Sequence, residues 1–448
     1  MSKNIAIISL GCSKNLVDSE LIIGSLNEEG YSVVNELDNA NIIIINTCGF
    51  IDAAKEESID TILEMAEYKK HGECNMLIVA GCLSERYKKM LIDEIPEIDA
   101  LVGTGNIKDI SYIIKNYNDK KIIKVGNIDN NYLEENPRIP LEPSVTSYIK
   151  ISEGCDNYCT YCIIPKLRGK YKSRKMDSII KEANELVKRG TREIILIAQD
   201  TTKYGIDLYD KYKLPELLDE LNKIEKLKWI RILYMYPETF SNELINSINN
   251  NDKVLKYVDI PIQHISNNIL KRMNRNTDKD SIKQLINNLR TKIPNIIIRT
   301  TLMVGFPGET KDDFNELYDF VKNIKFDRLG VFTYSDQEGT AANNFKDQID
   351  ESVKLERKNI LMELQQQISQ ELLHEKINKN YEVLIEESLE DENLLIGRTY
   401  MDAPEIDGYV YINSDLQRNI NIGEFVKVNI KDSFEYDLKG EILDEFSK

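Results

Sequence analysis

Three cysteines fall within eight residues at Cys155-Asp-Asn-Tyr-Cys159-Thr-Tyr161-Cys162, spaced Cys-x3-Cys-x2-Cys. Gaps this short and unequal do not suit core packing. They do let three thiolates hold three irons of a [4Fe–4S] cube while the fourth iron stays open for a small molecule. A structural zinc site usually shows two paired arms, and none of the chain's three histidines, His71, His264 and His374, lies near this loop. Disulfides need an oxidising compartment, which nothing at the N-terminus suggests.

The first 125 residues alternate short β-branched runs with amphipathic stretches, the pattern of a parallel sheet flanked by helices. Strands are predicted at Ile5–Leu10, Ile42–Asn46 and Met76–Ala80. Helices are predicted from Asn15 to Leu26 and from Asp52 to Tyr68, the second presenting Ile59, Ile62, Leu63 and Ala66 on one face. Each strand runs into a cysteine: Gly11-Cys12, Thr47-Cys48 and Gly81-Cys82. The carboxyl ends of parallel strands share one edge, so Cys12, Cys48 and Cys82 are expected to converge on one crevice as ligands of a second cluster. The competing reading is that small buried cysteines pack at strand ends. Cys74 precedes its strand and reads as structural.

The central triplet, followed by Ile163-Ile164-Pro165, resembles the signature of the radical S-adenosylmethionine (SAM) enzymes. The segments Ile8-Ser-Leu-Gly-Cys-Ser-Lys-Asn-Leu-Val-Asp-Ser-Glu20 and Asn46-Thr-Cys-Gly-Phe-Ile-Asp-Ala-Ala-Lys-Glu-Glu-Ser-Ile59 extend the resemblance to the methylthiotransferase family. It is strongest to the branch that modifies an aspartate of the twelfth small-subunit ribosomal protein. The resemblance implies two [4Fe–4S] clusters and two uses of SAM. One molecule methylates a sulfur held at the N-terminal cluster, and another is reductively split at the central cluster into a 5′-deoxyadenosyl radical. The radical then removes hydrogen from an aspartyl β-carbon, where the methylthio group is delivered. That C–H bond offers no acidic proton, so general-base chemistry does not suffice.

Between residues 126 and 145 the alternation stops and Pro137, Pro140 and Pro143 mark a linker; the polar stretch from Asn127 to Glu135 matches no motif. From 146 to 348 it resumes, with strands predicted at Tyr148–Ser152, Ile194–Ala198, Trp229–Leu233, Val258–Ile260, Ile296–Met303 and Leu329–Thr333. Six βα units fit a partial (β/α)6 barrel, with function at the carboxyl ends of the strands. The resemblance places Tyr161 near the SAM adenine. It also makes a SAM-binding turn of Gly305-Phe306-Pro307-Gly308-Glu309 at the end of the strand that carries Arg299, with Gln199 as a further contact. His264, also at a strand end, reads equally well as structural or functional. Lys166, Arg168, Lys170, Lys172 and Arg174 alternate as if on one side of an extended segment, either a solvated face or a set of cations neutralising the SAM or substrate carboxylate.

Residues 349–376 read as one connecting helix, a plain spacer, and 377–448 as five short strands of a small antiparallel barrel. That barrel resembles the TRAM domain of methylthiotransferases. It holds seven Lys or Arg against seventeen Asp or Glu, on a chain with 58 basic and 75 acidic residues and a net charge of −17. Such a domain repels a phosphate backbone and suits a basic protein. The expected partners are therefore the basic ribosomal protein, free or in the subunit, and an electron donor such as flavodoxin or ferredoxin; direct tRNA binding and membrane attachment are not expected. No stretch has the length of a membrane span and no signal peptide is evident, which points to the cytoplasm. The rival readings are a tRNA adenosine methylthiotransferase and a non-catalytic iron–sulfur or zinc scaffold.

Overall fold

The computed structural model describes residues 4–126, 128, 137–141, 144–413 and 420–443. Pro143 and, residue 128 apart, the polar stretch 127–135 lie outside them. Ile42–Thr47 and Met76–Gly81 are buried along their whole length, as strands covered on both faces must be. They form the centre of a parallel sheet of β1 (Asn4–Ser9), β2 (Ser32–Val33), β3 (Ile42–Thr47), β4 (Met76–Gly81), β5 (Ala100–Val102) and β6 (Ile122–Lys124). Its order is β2-β1-β3-β4-β5-β6. The chain reverses direction across the sheet between β1 and β3, where doubly wound folds bind ligands.

Helices α1 (Ser13–Glu28) and α2 (Asp52–His71) follow β1 and β3. The buried face of α2 is Ser58, Ile62, Met65 and Ala66, whereas Ile59 and Leu63 are 37% and 49% exposed. The expected face was therefore offset, because its inward position one turn above Ile62 is taken by a serine rather than an apolar residue. Cys74 packs in the apolar core of this domain, away from the other cysteines.

The central domain has six parallel strands in two runs of three: β7 (Thr146–Lys150), β10 (Glu193–Ile197) and β11 (Trp229–Ile232), then β12 (Tyr257–Asp259), β13 (Ile297–Val304) and β14 (Arg328–Thr333). A hydrogen bond from Met235 N to Asp259 O (2.9 Å) joins the runs into one open barrel. A two-residue antiparallel ribbon, β8 (Ser152–Glu153) with β9 (Lys172–Ser173), pinches the base of the loop carrying Cys155, Cys159 and Cys162.

The helix Glu351–His374 is no plain spacer. Leu361, Leu364 and Ile368 lie in the apolar core of the barrel, and Gln365 Nε2 donates to Phe326 O at 2.9 Å. Beyond it, β15 (Asn380–Leu389), β16 (Leu394–Arg398), β17 (Val410–Asn413), β18 (Phe425–Ser433) and β19 (Leu438–Ile442) close a small barrel in the order β15-β16-β17-β19-β18. All its pairs are antiparallel except β17 with β19.

This small barrel covers the amino-terminal mouth of the central one. Arg398 Nη2 reaches Glu193 Oε2 at 2.7 Å, and Glu193 Oε1 accepts from Arg231 Nε at 2.8 Å. Tyr257 Oη donates to Asp407 at 2.7 Å. The first domain sits on the opposite mouth, where Arg86 Nη1 donates to Gln337 Oε1 at 2.8 Å in the loop after β14. Arg138 of the connecting segment ties both sides together, donating to Glu20 of α1 at 2.7 Å and to Glu182 of the central domain at 2.6 Å.

Candidate cluster and SAM site

Side-chain amides bonded to the backbone at two strand ends decide where Cys12 and Cys48 go. Asn15 Nδ2 donates to Leu10 O and Thr47 O, both at 3.0 Å, and Asn46 Nδ2 returns a bond to Asn15 O at 2.8 Å. These bonds bring the loops of Cys12 and Cys48 together so closely that a Cβ on Gly11 (φ +84°) would lie 2.6 Å from Cys48 Cβ. Only glycine fits there. Ser58 explains the shifted face of α2: its Oγ accepts from Cys48 N at 3.1 Å and donates to Cys48 O at 3.0 Å. Cys82 caps β4 and begins a short helix, α3 (Cys82–Tyr87).

Burial, opposed by cations on both sides of the domain boundary, sets the electrostatics of the three thiols. Burial pushes the Cys82 thiol up to about 12 and raises Cys48, with Arg168 opposing both rises. Burial also acts to raise Cys12, but the charges of Lys14 and Arg168 and the N–H groups of Asn15 and Lys14 outweigh it, so this thiol is lowered. Arg168 belongs to the central domain, in the short helix Ile164–Arg168 behind Cys162. It donates to Asn15 Oδ1 (2.6 Å), Asp18 Oδ2 (3.1 Å) and Glu153 Oε2 (3.0 Å), and Lys150 pairs with the same two carboxylates. Cations beside thiols suit a cluster whose ligands must be thiolates. Among the described residues no three ligating side chains gather around a single metal ion; thiolates of a cube bind three different irons and stand apart.

The basic residues around Arg168 do not share one side. Ile164–Arg168 is helical, Arg168 and Arg174 are buried, and Lys166 and Lys170 are exposed. Both buried arginines are committed to the protein's own groups, Arg174 to Glu182 at 2.6 Å.

At the second trio, Cys155 N donates to Gly169 O at 3.1 Å, Cys162 N to Cys159 O at 3.0 Å, and Thr160 N to Met273 O at 3.0 Å. Burial raises the thiols of Cys155, to about 11, and Cys162. Cys159 Sγ lies 2.9 Å from Tyr236 Oη, and Arg275 lies over the Tyr236 ring at 3.8 Å. Tyr236 was not singled out from the sequence, although its place in Tyr234-Met-Tyr236-Pro237 just past a barrel strand is the signal that could have found it. Gln199 Nε2 donates to Glu153 Oε1 at 3.0 Å, and Gln199 Oε1 is buried without a hydrogen-bond partner.

Tyr161 meets Phe306 edge to face, 6.5 Å between centroids, and Phe306 is fully buried against Tyr334 and Phe345. The carboxylate of Glu309 turns inward, accepting from Gly305 N and from Phe306 N (3.1 Å), with Arg357 at 3.3 Å and His264 at 3.8 Å from its Oε1. Glu309 thus shapes the turn from behind, and His264 stands behind Glu309. A Cβ at Gly305 would strike the Lys354 stem and one at Gly308 the Arg272–Asp347 pair, so the protein's own side chains fill the space both glycines leave. Pro307 O accepts from Arg272 Nε at 2.9 Å. Arg299 lies apart from this turn, donating to Asp259 Oδ1 at 2.8 Å with its Nε 3.6 Å from Asp407 of the small barrel.

Known families match three successive segments: the uncharacterized protein family UPF0004 over residues 4–103, the radical SAM superfamily over 149–321 and the TRAM domain over 377–443. Among solved structures, the radical SAM methyltransferase TsrM from Kitasatospora setae, with cobalamin and a [4Fe–4S] cluster bound, is similar with a TM-score of 0.54 at 14% identity over 76% of this chain and 77% of that one. The cobalamin-dependent SAM radical enzyme OxsB, with aqua-cobalamin and SAM bound, has a TM-score of 0.54 at 13% identity over 81% of this chain and 56% of that one. At such identities the likeness is one of fold. Fold and cysteine loop together define a radical SAM protein with a TRAM domain. Curated relatives narrow this: a chain of Clostridioides difficile (strain 630) is 54% identical over 99% of both chains, and one of Thermoanaerobacter sp. (strain X514) is 52% identical over 98% of this chain and all of that one. Both are named ribosomal protein uS12 methylthiotransferase RimO, and the chain belongs to this RimO family. Among the described residues no helix is long and apolar enough to cross a membrane.

Proposed function

We propose that the chain methylthiolates the β-carbon of an aspartate in ribosomal protein uS12, with one [4Fe–4S] cluster on Cys155, Cys159 and Cys162 and a second on Cys12, Cys48 and Cys82. The observation that carries this reading is the reach of Arg168, from the loop of one cysteine trio, into the surroundings of the other. When bound, the clusters and SAM supply a carbon radical for the unactivated C–H bond and the sulfur and methyl group for its replacement. Residues 1–125 hold the first trio, 146–348 the SAM chemistry and 377–448 a surface for a basic protein.

The chain's own residues then have distinct tasks. Lys14 and Arg168 hold positive charge against the first trio. Gln199 Oε1, buried and unpartnered, suits a donor such as the ammonium of SAM. Tyr161 and the backbone of Gly305, Phe306, Pro307 and Gly308 form one wall of the SAM site, with Glu309 fixing that wall. Arg299, taken up by Asp259 and Asp407, serves the fit of the TRAM barrel to the barrel mouth. The acidic TRAM domain favours a basic ribosomal protein over tRNA. The reaction takes place in the cytoplasm, with electrons from a carrier such as flavodoxin or ferredoxin.

The test is anaerobic reconstitution of the full chain with Cys82→Ala and Cys155→Ala variants. The parent should hold about eight irons and each variant about four, and reductive SAM cleavage should vanish only in Cys155→Ala. A parent holding about four irons would refute the second cluster.

A further inference from the structure

The loops that carry Cys82 and Cys162 pack against each other at the domain boundary. Cys82 forms a small buried apolar cluster with Ile163 and Leu167, just downstream of Cys162. Over this contact lies an open depression of about 480 Å³, floored by Ile163, Leu167 and Met90 and rimmed by Arg86, Lys88 and Lys166. Met90 is 55% exposed, an apolar side chain among cations. Lys88, Lys89 and Lys166 are exposed, and Arg86 is fixed by bonds to Gly49 O and Gln337 Oε1, both at 2.8 Å. Glu338 also lines the rim, while Glu85 is buried, accepting from Gly126 N at 3.0 Å and lying 3.8 Å from Lys88 Nζ. The rim therefore stays positive on a chain of net charge −17. An apolar centre within a charged rim is the usual anatomy of a protein interface, and local charge of the minority sign selects an oppositely charged partner.

We infer that this depression is the docking site of an acidic one-electron carrier protein of the flavodoxin or ferredoxin class. The inference rests on the two-cluster reading and adds the place where the electron enters. One electron passes from the carrier to the centre held by Cys155, Cys159 and Cys162; the carrier is oxidised and the centre reduced by one electron, and no covalent bond is made. Charge steers the encounter, so its rate depends on salt.

The experiment follows reduction of the reconstituted full chain by stopped-flow absorbance, with flavodoxin hydroquinone as the probe and dithionite as a small-molecule control. The charge-reversed variant Lys88→Glu/Lys89→Glu/Lys166→Glu should be reduced by flavodoxin at least tenfold more slowly at low salt, with dithionite reduction unchanged. The parent's flavodoxin rate should fall as salt rises, and the variant's should not. Equal rates for parent and variant, or a parent rate indifferent to salt, overturn the site; the second result holds even if the variant fails to fold. Iron content is measured alongside, because a chain lacking a cluster counts against the two-cluster reading rather than against the docking surface.

Discussion

Arg168 Nη2 donates to Asn15 Oδ1 at 2.6 Å, joining the helix behind Cys162 to the helix behind Cys12. The same guanidinium meets Asp18 and Glu153 in an almost solvent-free set with Lys150. Removing one partner from a buried charge set costs about 3–5 kcal/mol, because the others stay buried and under-compensated. Arg168→Met should lower the urea midpoint and reduce iron retention at the first trio, while Arg168→Lys, which keeps the charge, should lose less of both. An Arg168→Met chain with the parent's midpoint and iron content would show that the contact binds nothing together.

Glu193 makes acid stability a property of the TRAM junction. Burial would raise its carboxyl, but Arg398 and Arg231 on either side hold it down to about 2 from an ordinary 4.5. A depressed carboxyl stabilises the fold above its unfolded value and loses that contribution as pH falls from about 4.5 toward 2. Glu193→Gln should cost on the order of 3 kcal/mol at pH 7 and flatten the decline in that acid window. Urea midpoints at several pH values check it; a parallel decline in both proteins would contradict the assignment.

Ser58 is a small residue with a large assignment. Its hydroxyl pairs both the N–H and the C=O of buried Cys48, so Ser58→Ala should cost about 1–3 kcal/mol and speed iron loss from the first trio. Ser58→Thr, which keeps the hydroxyl, should recover part of the retention. Iron release to a chelator, followed in time, distinguishes the three proteins.

Much of this was legible in the sequence, because strand periodicity and cysteine position are local signals. Six parallel strands of the barrel and the three cysteine-tipped strands needed only runs of β-branched residues and the rule that carboxyl ends share an edge. What escaped was long-range or disguised. The strands β2, β5 and β6 are two or three residues long and offer no period to read. The helix Glu351–His374 hides its buried face because Lys354, Gln365 and Ser369 lie inward among the leucines. Arg168 and Arg174 read as cations on a solvated face or facing a carboxylate of SAM or substrate, since nothing local says that Asp18, 150 residues away, takes up the first.

The most direct test of the whole account is mass spectrometry of ribosomal protein uS12 and of bulk tRNA nucleosides from cells with and without this gene. The account predicts that uS12 loses the mass of one methylthio group, localised to an aspartate, while the nucleosides are unchanged. Disappearance of a methylthiolated adenosine with uS12 unaltered would contradict it, leaving the cluster chemistry in place and assigning the acidic TRAM domain some role other than holding a basic protein.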